Sequence, residues 1–277
     1  MTRPLVVKFG GELLEDRSRL ATVVAAIRAI ADRTPLVVVH GGGKEIDAAL
    51  KTAGLEKRQV DGLRITDAAT LDVVVAVLAG TINTRLVAAL NAAGVGAVGL
   101  TGADGLVGLS APAPPHQAVD GRLVDLGRVG LPAPDSSTRL LDALIERGFV
   151  PVLACIGAGA RGDLFNVNAD TLAGHVAARL GARRLVIAGT TPGVLDDRGA
   201  TLPVLEASAV AALVNAGTAT AGMIAKLRAC EHALAGHVDD VVIVDGRDGD
   251  ALVQAAAPRP GNNALASATR LVRMVTA

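Results

Sequence analysis

A lysine and two glycines near the start of the chain could form part of an anion site. In VVKFGGE (6–12), Lys8 lies at the end of an apolar run, and Gly10 and Gly11 follow after one residue. A charged group in an apolar strand is unfavourable unless it meets an anion or another partner, so we expect Lys8 to point at an anion. The alternative is an edge lysine whose ammonium group reaches water.

A second glycine-rich stretch, VVVHGGGKEI (37–46), indicates where such an anion would bind. Gly42 and Gly43 come directly before Lys44 and the start of a predicted helix. The stretch is not a Walker A loop, because the glycine spacing differs and a glutamate follows the lysine. A helix that begins here would still direct free N–H groups and its positive dipole end at a ligand. We therefore predict an anion site, with Lys44 as a bystander; a tight turn without a ligand is the alternative.

Three further positions could complete such a site, although each alone is weak evidence. Arg64 lies in DGLRITD (61–67), and arginine can bind a carboxylate through two parallel hydrogen bonds. FNVNAD (165–170) groups polar side chains before a predicted helix, and Asp170 could simply cap that helix. Lys226 follows a glycine in GMIAK and has no distinctive signal by itself.

The composition argues against several classes of function. The 277 residues include 27 basic and 27 acidic side chains, whereas DNA is usually bound by a basic patch. Only 1% are aromatic, so stacking on single-stranded nucleic acid is disfavoured. The start of the chain does not resemble a signal peptide, and the apolar stretches are expected to end before the ~18–20 residues of a membrane span. With Cys155 and Cys230 expected as buried free thiols, the sequence predicts a soluble cytoplasmic protein with no nucleic-acid or membrane partner.

Short β-branched runs alternate with longer Ala/Leu-rich segments along the chain. Continuous apolar strands between helices indicate a mostly parallel sheet that is covered on both faces. The predicted strands span residues 4–9, 35–40, 96–101, 149–157, 183–189, 238–246 and 269–274. The predicted helices span residues 17–33, 44–54, 67–94 (one helix or two), 137–148, 169–181 and 222–236.

The glycine motifs KFGG, HGGG, LTGADG and AGTTPG all follow predicted strands. Ligands of parallel α/β sheets collect at the C-terminal ends of the strands, so we expect these motifs to surround one site. The Pro/Gly-rich segment 105–136 predicts hairpins or loops on the sheet, and 258–267 predicts a mobile loop.

Taken in order, the motifs resemble the amino acid kinase family over essentially the whole chain. They are KFGG, HGGG, GLRIT, LTGADG, DLGRVG, PVLACIG, NVNAD, TPGVLDD and GMIAK. Within that family, the pair GLRIT and NVNAD resembles members that phosphorylate the side-chain carboxylate of N-acetyl-L-glutamate with ATP, in arginine biosynthesis. The resemblance implies a three-layer αβα sandwich with an open, mainly parallel sheet. It also implies an N-terminal lobe (1–165) for acceptor binding and dimerisation and a C-terminal lobe (166–277) for ATP binding.

The resemblance assigns roles to individual residues. Lys8 and Lys226 match the two lysines that flank the transferred phosphoryl group, and Asp170 matches the aspartate that holds both. The residues implied for the acceptor are Gly42, Gly43, Arg64 and Asn166, of which the last two would grip its α-carboxylate and amide. The residues implied for the phosphates and the nucleotide are Gly10, Gly11, Thr190, Gly193, Leu195, Thr218 and Thr220.

The implied reaction needs no general base, because a carboxylate acceptor is already ionised at neutral pH. Its difficulty is the repulsion between an anionic acceptor and the γ-phosphate of ATP, which two lysines and Mg²⁺ would offset. Mg²⁺ in such sites is held mainly by phosphates and water, so we predict no protein ligands for the metal.

Two positions of the nucleotide lobe depart from the family pattern. Thr190 stands where relatives usually carry aspartate, and Ala221 stands where they often carry an acidic or polar residue. These changes bear on ATP affinity and ribose contacts rather than on the lysines. The arginine-inhibited hexamers of the family carry an extra N-terminal helix, whereas this chain begins with a predicted strand; an arginine-insensitive homodimer is therefore expected.

Two alternative functions stay open. A sister kinase for N-acyl- or carrier-bound aminoadipate in lysine biosynthesis would share the catalytic positions and differ in the wall of the acceptor pocket. A non-catalytic ligand-binding homologue would account for Thr190, but the set of Lys8, Asp170 and Lys226 argues against it.

Overall fold

The computed structural model of the protein describes residues 2–215, 221–257 and 268–273. The loop predicted over 258–267 lies outside these residues. The strands of the described chain are β1 (Leu5–Phe9), β2 (Leu36–His40), β3 (Gln59–Val60), β4 (Leu63–Arg64), β5 (Ala97–Thr101), β6 (Ser110–Pro112), β7 (His116–Gln117), β8 (Leu123–Val124), β9 (Val129–Pro132), β10 (Val150–Ala154), β11 (Ile156–Ala158), β12 (Leu164–Val167), β13 (Arg184–Gly189), β14 (Val204–Glu206), β15 (Asp240–Asp245) and β16 (Ala268–Val272). The α-helices are α1 (Arg17–Ala31), α2 (Gly43–Thr52), α3 (Ala68–Val75), α4 (Asn83–Ala92), α5 (Arg139–Glu146), α6 (Ala169–Arg179), α7 (Ala207–Asn215), α8 (Ala221–Ala235) and α9 (Gly249–Ala256).

Eight strands of the described chain form one sheet in the order β14-β16-β15-β13-β1-β2-β10-β5. The six strands from β15 to β5 are parallel, whereas β16 is antiparallel to β15. Every residue of β1, β2, β10 and β13 is buried, which explains their continuous apolar sequences. Helix α1 packs on α4 and α9, and α6 packs on α8, so that helices cover both faces of the sheet. The predicted αβα fold with a mainly parallel sheet is confirmed.

Helix α1 shows how local sequence and core packing agree. The side chain of Asp16 accepts a hydrogen bond from the backbone N–H of Arg19 at 2.8 Å and thereby caps the first turn. Val23, Ile27 and Ile30 recur at helical spacing and are buried in the core. This amphipathic pattern fixes the face that α1 turns toward the sheet.

The segment Ala68–Ala92 is one continuous helix, in which a π-helical stretch at Ala76–Ile82 joins α3 to α4. It is long and apolar enough, with a mean hydropathy of 1.9, to cross a membrane by length and composition alone. The expectation that every apolar stretch is too short to span a membrane is therefore wrong for this segment. However, Leu86 and Leu90 belong to the core and Asn83 donates a hydrogen bond to Val152 O at 2.9 Å. These contacts are those of a helix that packs on a sheet.

Four further predictions concern the strand over 149–157, the segment 105–136, the two cysteines and the boundary between the lobes. The strand predicted over 149–157 divides at Cys155, because β10 stays in the main sheet and β11 joins a smaller sheet with β12, β9 and β6. The segment 105–136 contains the short strands β6 to β9, as predicted. Cys155 and Cys230 are free and buried, which confirms the expectation for both thiols. The predicted boundary between residues 165 and 166 falls inside β12, and the division into lobes stays a prediction.

Candidate active site

Two lysines from different layers of the fold meet on one carboxylate. Lys8 Nζ lies 2.9 Å from Asp170 Oδ1, and Lys226 Nζ lies 3.3 Å from Asp170 Oδ2. The side chains of Lys8 and Asp170 are only 6% and 7% exposed, whereas that of Lys226 is 19% exposed. The cluster is thus nearly sealed on the side of β1 and opens toward α8.

The elements that carry these residues explain why they meet. Lys8 is near the C-terminal end of β1, and Asp170 is in the first turn of α6, which packs on β1. Asn168 caps α6 by accepting hydrogen bonds from the backbone N–H groups of Asp170 and Thr171, at 2.9 and 3.1 Å. The interpretation of Asp170 as the cap is therefore wrong, and its carboxylate is left for the lysines. Helix α8 brings Lys226 to the same place because it packs closely on α6.

Burial and ion pairing act in opposite directions on the two buried groups. Burial lowers the pKa of Lys8, but the charge and hydrogen bond of Asp170 outweigh it, so that the pKa is raised above its ordinary value of 10.5. Burial raises the pKa of Asp170, but the two lysines outweigh it and hold that pKa below 3.8. Both groups are therefore charged at neutral pH. By formal charge, two lysines and one carboxylate leave these three residues with one positive charge in excess, which an anion would balance.

Two glycine loops approach each other beside this cluster. A Cβ atom on Gly11 would lie only 2.6 Å from Gly42 Cα, so the close approach of the two backbones requires glycine. Gly42 is the N-cap of α2 without a side-chain cap, and the first N–H groups of α2 therefore lack intrahelical partners. The N–H group of Gly10 is already bonded to Ala188 O at 3.0 Å. This hydrogen bond occupies the backbone donor of Gly10, and the role of Gly10 at the phosphates stays a prediction.

Arg64 and Asn166 come together next to the glycine loop of α2. Arg64 Nη2 contacts Asp47 Oδ1 at 2.5 Å and donates to Gly43 O at 3.3 Å. Its Nη1 atom is buried and has no hydrogen-bond partner among the described residues. Asn166 Nδ2 donates to Thr66 Oγ1 at 3.1 Å, and Thr66 Oγ1 donates to Arg64 O at 3.1 Å. The hairpin of Arg64 and the strand of Asn166 thus share one polar wall, in which the buried Nη1 of Arg64 could donate to an anion.

The residues expected at the nucleotide lie partly on the loop after β13. Gly193 has a φ of 130°, and a Cβ atom there would overlap Thr269 Oγ1, which accepts a hydrogen bond from Val194 N at 2.7 Å. Thr190 O accepts from Arg247 Nη2 at 3.3 Å, and the side chain of Leu195 is exposed. Thr218 and Thr220 lie outside the described residues. The loop of Thr190, Gly193 and Leu195 thus follows β13, which pairs with β1, the strand that carries Lys8.

The comparison with known proteins adds the decisive observation. The sequence model of the amino acid kinase family matches residues 3–245. The chain belongs to the amino acid kinase family. It is 40% identical over 253 residues to acetylglutamate kinase of Erythrobacter litoralis, and the match covers 88% of this chain and 83% of that protein. It is 41% identical over 268 residues to acetylglutamate kinase of Rhizorhabdus wittichii, and the match covers 94% of this chain and 88% of that protein.

A solved structure gives the same fold. N-acetylglutamate synthase from Neisseria gonorrhoeae, complexed with coenzyme A and N-acetyl-glutamate, superposes with a TM-score of 0.81 at 25% identity. The match covers 99% of this chain, which spans 60% of that longer chain. The amino acid kinase fold therefore accounts for essentially all of the sequence described above.

Several polar residues of this amino acid kinase were not singled out by the sequence. His40, directly before the glycine loop, is fully buried and lies between Asn83 Nδ2, 3.0 Å from its Nε2, and Gly41 O, 3.2 Å from its Nδ1. Burial lowers the pKa of His40 to about 4, so it is neutral and serves as a hydrogen-bonding group. Asp47 and Thr66 support Arg64 and Asn166. The spacing of these residues along the chain gives no signal, because each partner lies on a different element.

The described residues contain no group of three or more His, Cys, Asp or Glu side chains suited to hold a metal ion. Asp170 is the most buried carboxylate of the site, but both of its oxygens face lysines. The side chains suit an anion that brings its own cation, such as a nucleotide polyphosphate with Mg²⁺.

Proposed function

We propose that this chain is an ATP-dependent kinase that transfers a phosphoryl group to the side-chain carboxylate of N-acetyl-L-glutamate, a step of arginine biosynthesis. The observation that carries the proposal is the buried cluster of Lys8, Asp170 and Lys226 beside two glycine loops. The relatives named acetylglutamate kinase, at about 40% identity over most of the chain, support this acceptor.

The phosphoryl transfer follows from the charges of the cluster. Lys8 and Lys226 lie on either side of the Asp170 carboxylate, and their ammonium groups would contact oxygens of the transferred phosphoryl group. They reduce the repulsion between the acceptor carboxylate and the γ-phosphate. Their stabilising interaction is strongest in the transition state, where negative charge builds up. Asp170 keeps the two cations together and does not act as a base. Mg²⁺, held by the phosphates and water, would supply further positive charge at the β- and γ-phosphates.

The acceptor would bind on the wall formed by Arg64 and Asn166. The buried Nη1 of Arg64 has no partner among the described residues, and an α-carboxylate would provide one. Arg64 also contacts Gly43 O, so an acceptor bound there would lie next to the glycine loop and the phosphoryl site. Gly42 and Gly43 would supply backbone donors at the start of α2.

ATP would enter from the side of β13 and α8. Gly11 would contact the phosphates, and Gly10 would leave them room. Thr190, Gly193 and Leu195 follow β13, and we assign Thr218 and Thr220, outside the described residues, to the same nucleotide site. The family supports the use of ATP, and the 19% exposure of Lys226 supports this direction of entry.

We further assign the protein to the cytoplasm as a homodimer. Helix Ala68–Ala92 supports the dimer, because only 39% of its most apolar window is buried within one chain. Light scattering coupled to size-exclusion chromatography tests this assembly, and a monomer across the working concentration range would contradict it.

The function is tested by ATP-dependent formation of an acyl phosphate, trapped with hydroxylamine as the hydroxamate. N-acetylglutamate, N-acetylaminoadipate and aspartate serve as parallel acceptors. We expect turnover with N-acetylglutamate well above that with the other two. Preference for N-acetylaminoadipate would assign the chain to the sister reaction, and no turnover on any acceptor would reject the kinase function.

A further inference from the structure

Glu12 is a charged residue of the site region for which the proposed reaction has no role. Its side chain folds back over the first glycine loop, where a Cβ atom on Gly10 would overlap both carboxylate oxygens. A Cβ atom on Gly189 would lie 3.6 Å from Glu12 Oε1 and 3.9 Å from Lys226 Cε. The carboxylate therefore lies over the C-terminal ends of β1 and β13, beside the lysines.

The charge of Glu12 acts on the cluster of Lys8, Asp170 and Lys226. Burial lowers the pKa of Lys8, and Asp170 raises it. The charge of Glu12 also contributes to raising that pKa. With Glu12 counted, the two lysines face two carboxylates and the excess positive charge is balanced. The two carboxylates are nevertheless held very differently.

Asp170 is buried and has both lysines as direct partners, at 2.9 and 3.3 Å. Glu12 is half-buried. Within residues 2–215, 221–257 and 268–273, its carboxylate forms no ion pair and accepts no hydrogen bond. A flexible side chain without a direct partner can leave its position at little cost, whereas Asp170 cannot.

We infer that Glu12 is the resident counter-anion of the phosphoryl site, which an incoming polyphosphate must displace. The inference rests on the proposed function, because that function brings an anionic phosphate to the same place. A phosphate beside Gly11 and the lysines meets the Glu12 carboxylate in a half-buried region, where like charges repel more strongly than in water. Glu12 therefore lowers the affinity of the site for nucleotide.

Isothermal titration calorimetry of the full chain tests this inference. ATP is titrated in excess EDTA, and MgATP separately, into the wild type, Glu12→Gln and Glu12→Ala at low ionic strength and neutral pH. We expect both dissociation constants to fall by about tenfold in both variants. The gain should shrink at high salt, because screening weakens the repulsion in the wild type.

Glu15→Gln is the matched control. It removes the same charge from the same segment, but Glu15 is paired with Lys44 at 3.2 Å, and Lys44 is 71% exposed. Its nucleotide affinity should equal that of the wild type. Thermal unfolding of all variants identifies any that are not folded, and the two substitutions at position 12 provide independent readings.

The possible results separate the inference from the function on which it rests. Unchanged or weaker binding of ATP in both Glu12 variants would overturn the inference. Tighter binding of metal-free ATP together with weaker binding of MgATP would also overturn it, and would assign Glu12 to the metal-bound nucleotide instead. A wild type that binds no ATP in either form would reject both the inference and the kinase function.

Discussion

The phosphoryl end and the acceptor end of the site handle charge in different ways. At the phosphoryl end, Lys8 and Asp170 are 6% and 7% exposed and come from the core strand β1 and the first turn of α6. At the acceptor end, Arg64 and Asp47 are 13% and 30% exposed and come from a short hairpin and from α2. The first pair is part of the core, and the second is at its margin.

Stability and chemistry are therefore coupled at the phosphoryl end and separate at the acceptor end. A charge left alone in the core is strongly unfavourable, whereas water compensates a charge at the margin. We therefore expect substitutions at the phosphoryl end to affect folding as well as turnover. Substitutions at the acceptor end should mainly affect substrate affinity.

The largest effect is expected for Asp170→Asn. It leaves Lys8 buried without its direct ion-pair partner, so the free energy of unfolding should fall by about 3–5 kcal/mol. The turnover number should fall by about 10²–10³-fold, because the two lysines lose their common anchor. Urea unfolding and the hydroxamate assay measure the two quantities.

Asp47→Asn is the matched substitution at the other end. Its carboxylate is 30% exposed and pairs with Lys57 and Arg64, so the expected loss of stability is below about 1 kcal/mol. Equal losses in the two variants would break the distinction between core and margin.

The next largest effect is expected for Gly11→Ala, which tests the contact between the two glycine loops. The new methyl group would lie 2.6 Å from Gly42 Cα, so one loop must shift. A shift of this kind can lower the turnover number by about 10²-fold. Gly80→Ala is the control, because a Cβ atom there meets nothing within 4 Å, and it should keep full activity. A fully active Gly11→Ala enzyme would show that the loop geometry is not critical.

Arg64→Ala should have a smaller effect, confined to the acceptor. The KM for N-acetylglutamate should rise by about tenfold or more, because a charge-assisted hydrogen bond contributes about 1.5–3 kcal/mol. Lys57→Ala is the control, since Lys57 also pairs with Asp47 but is 45% exposed. A similar rise in both variants would mean that Arg64 acts through Asp47 and not on the acceptor. Steady-state kinetics with saturating ATP measures the difference.

The smallest effect near neutral pH is expected from the titration of the Lys8–Asp170 pair. The raised pKa of Lys8 contributes stability that is present below 10.5 and is lost as pH rises through the folded-state pKa. The lowered pKa of Asp170 contributes stability that is present above 3.8 and is lost as pH falls through the folded-state pKa. The difference in unfolding free energy between the wild type and the double variant Lys8→Met, Asp170→Asn should therefore be flat between these limits.

The subtraction in that experiment removes the contribution of two buried histidines. Burial lowers the pKa of His40 and of His175 to about 4, so both take up protons in the unfolded chain first as pH falls below 6.5. Both proteins lose that stability equally. Urea unfolding over the whole pH range measures the curve, and a difference that changes steadily through neutral pH would contradict it.

Much of the fold could be predicted from local sequence, and the predictions that were wrong or missed have physical causes. The buried strands β1, β2 and β13 lie where the apolar runs predict them, because a strand buried on both faces needs such a run. The division at Cys155 was missed, because an apolar run does not show where a strand leaves one sheet for another. Helix α9 was missed although Asp248 caps it and Leu252 and Ala255 have helical spacing, so a signal was present.

Local sequence was enough to predict the buried parallel strands, the positions of the glycine loops and the family to which the motifs belong. The packing of distant segments places both lysines on Asp170, pairs the N–H group of Gly10 with Ala188 O, and brings Glu12 over the lysines. The reason is the range of the forces involved. Periodicity and turn chemistry act between neighbours in the chain, whereas the charge balance of a buried site depends on residues that only the packing of α6 and α8 against the sheet brings together.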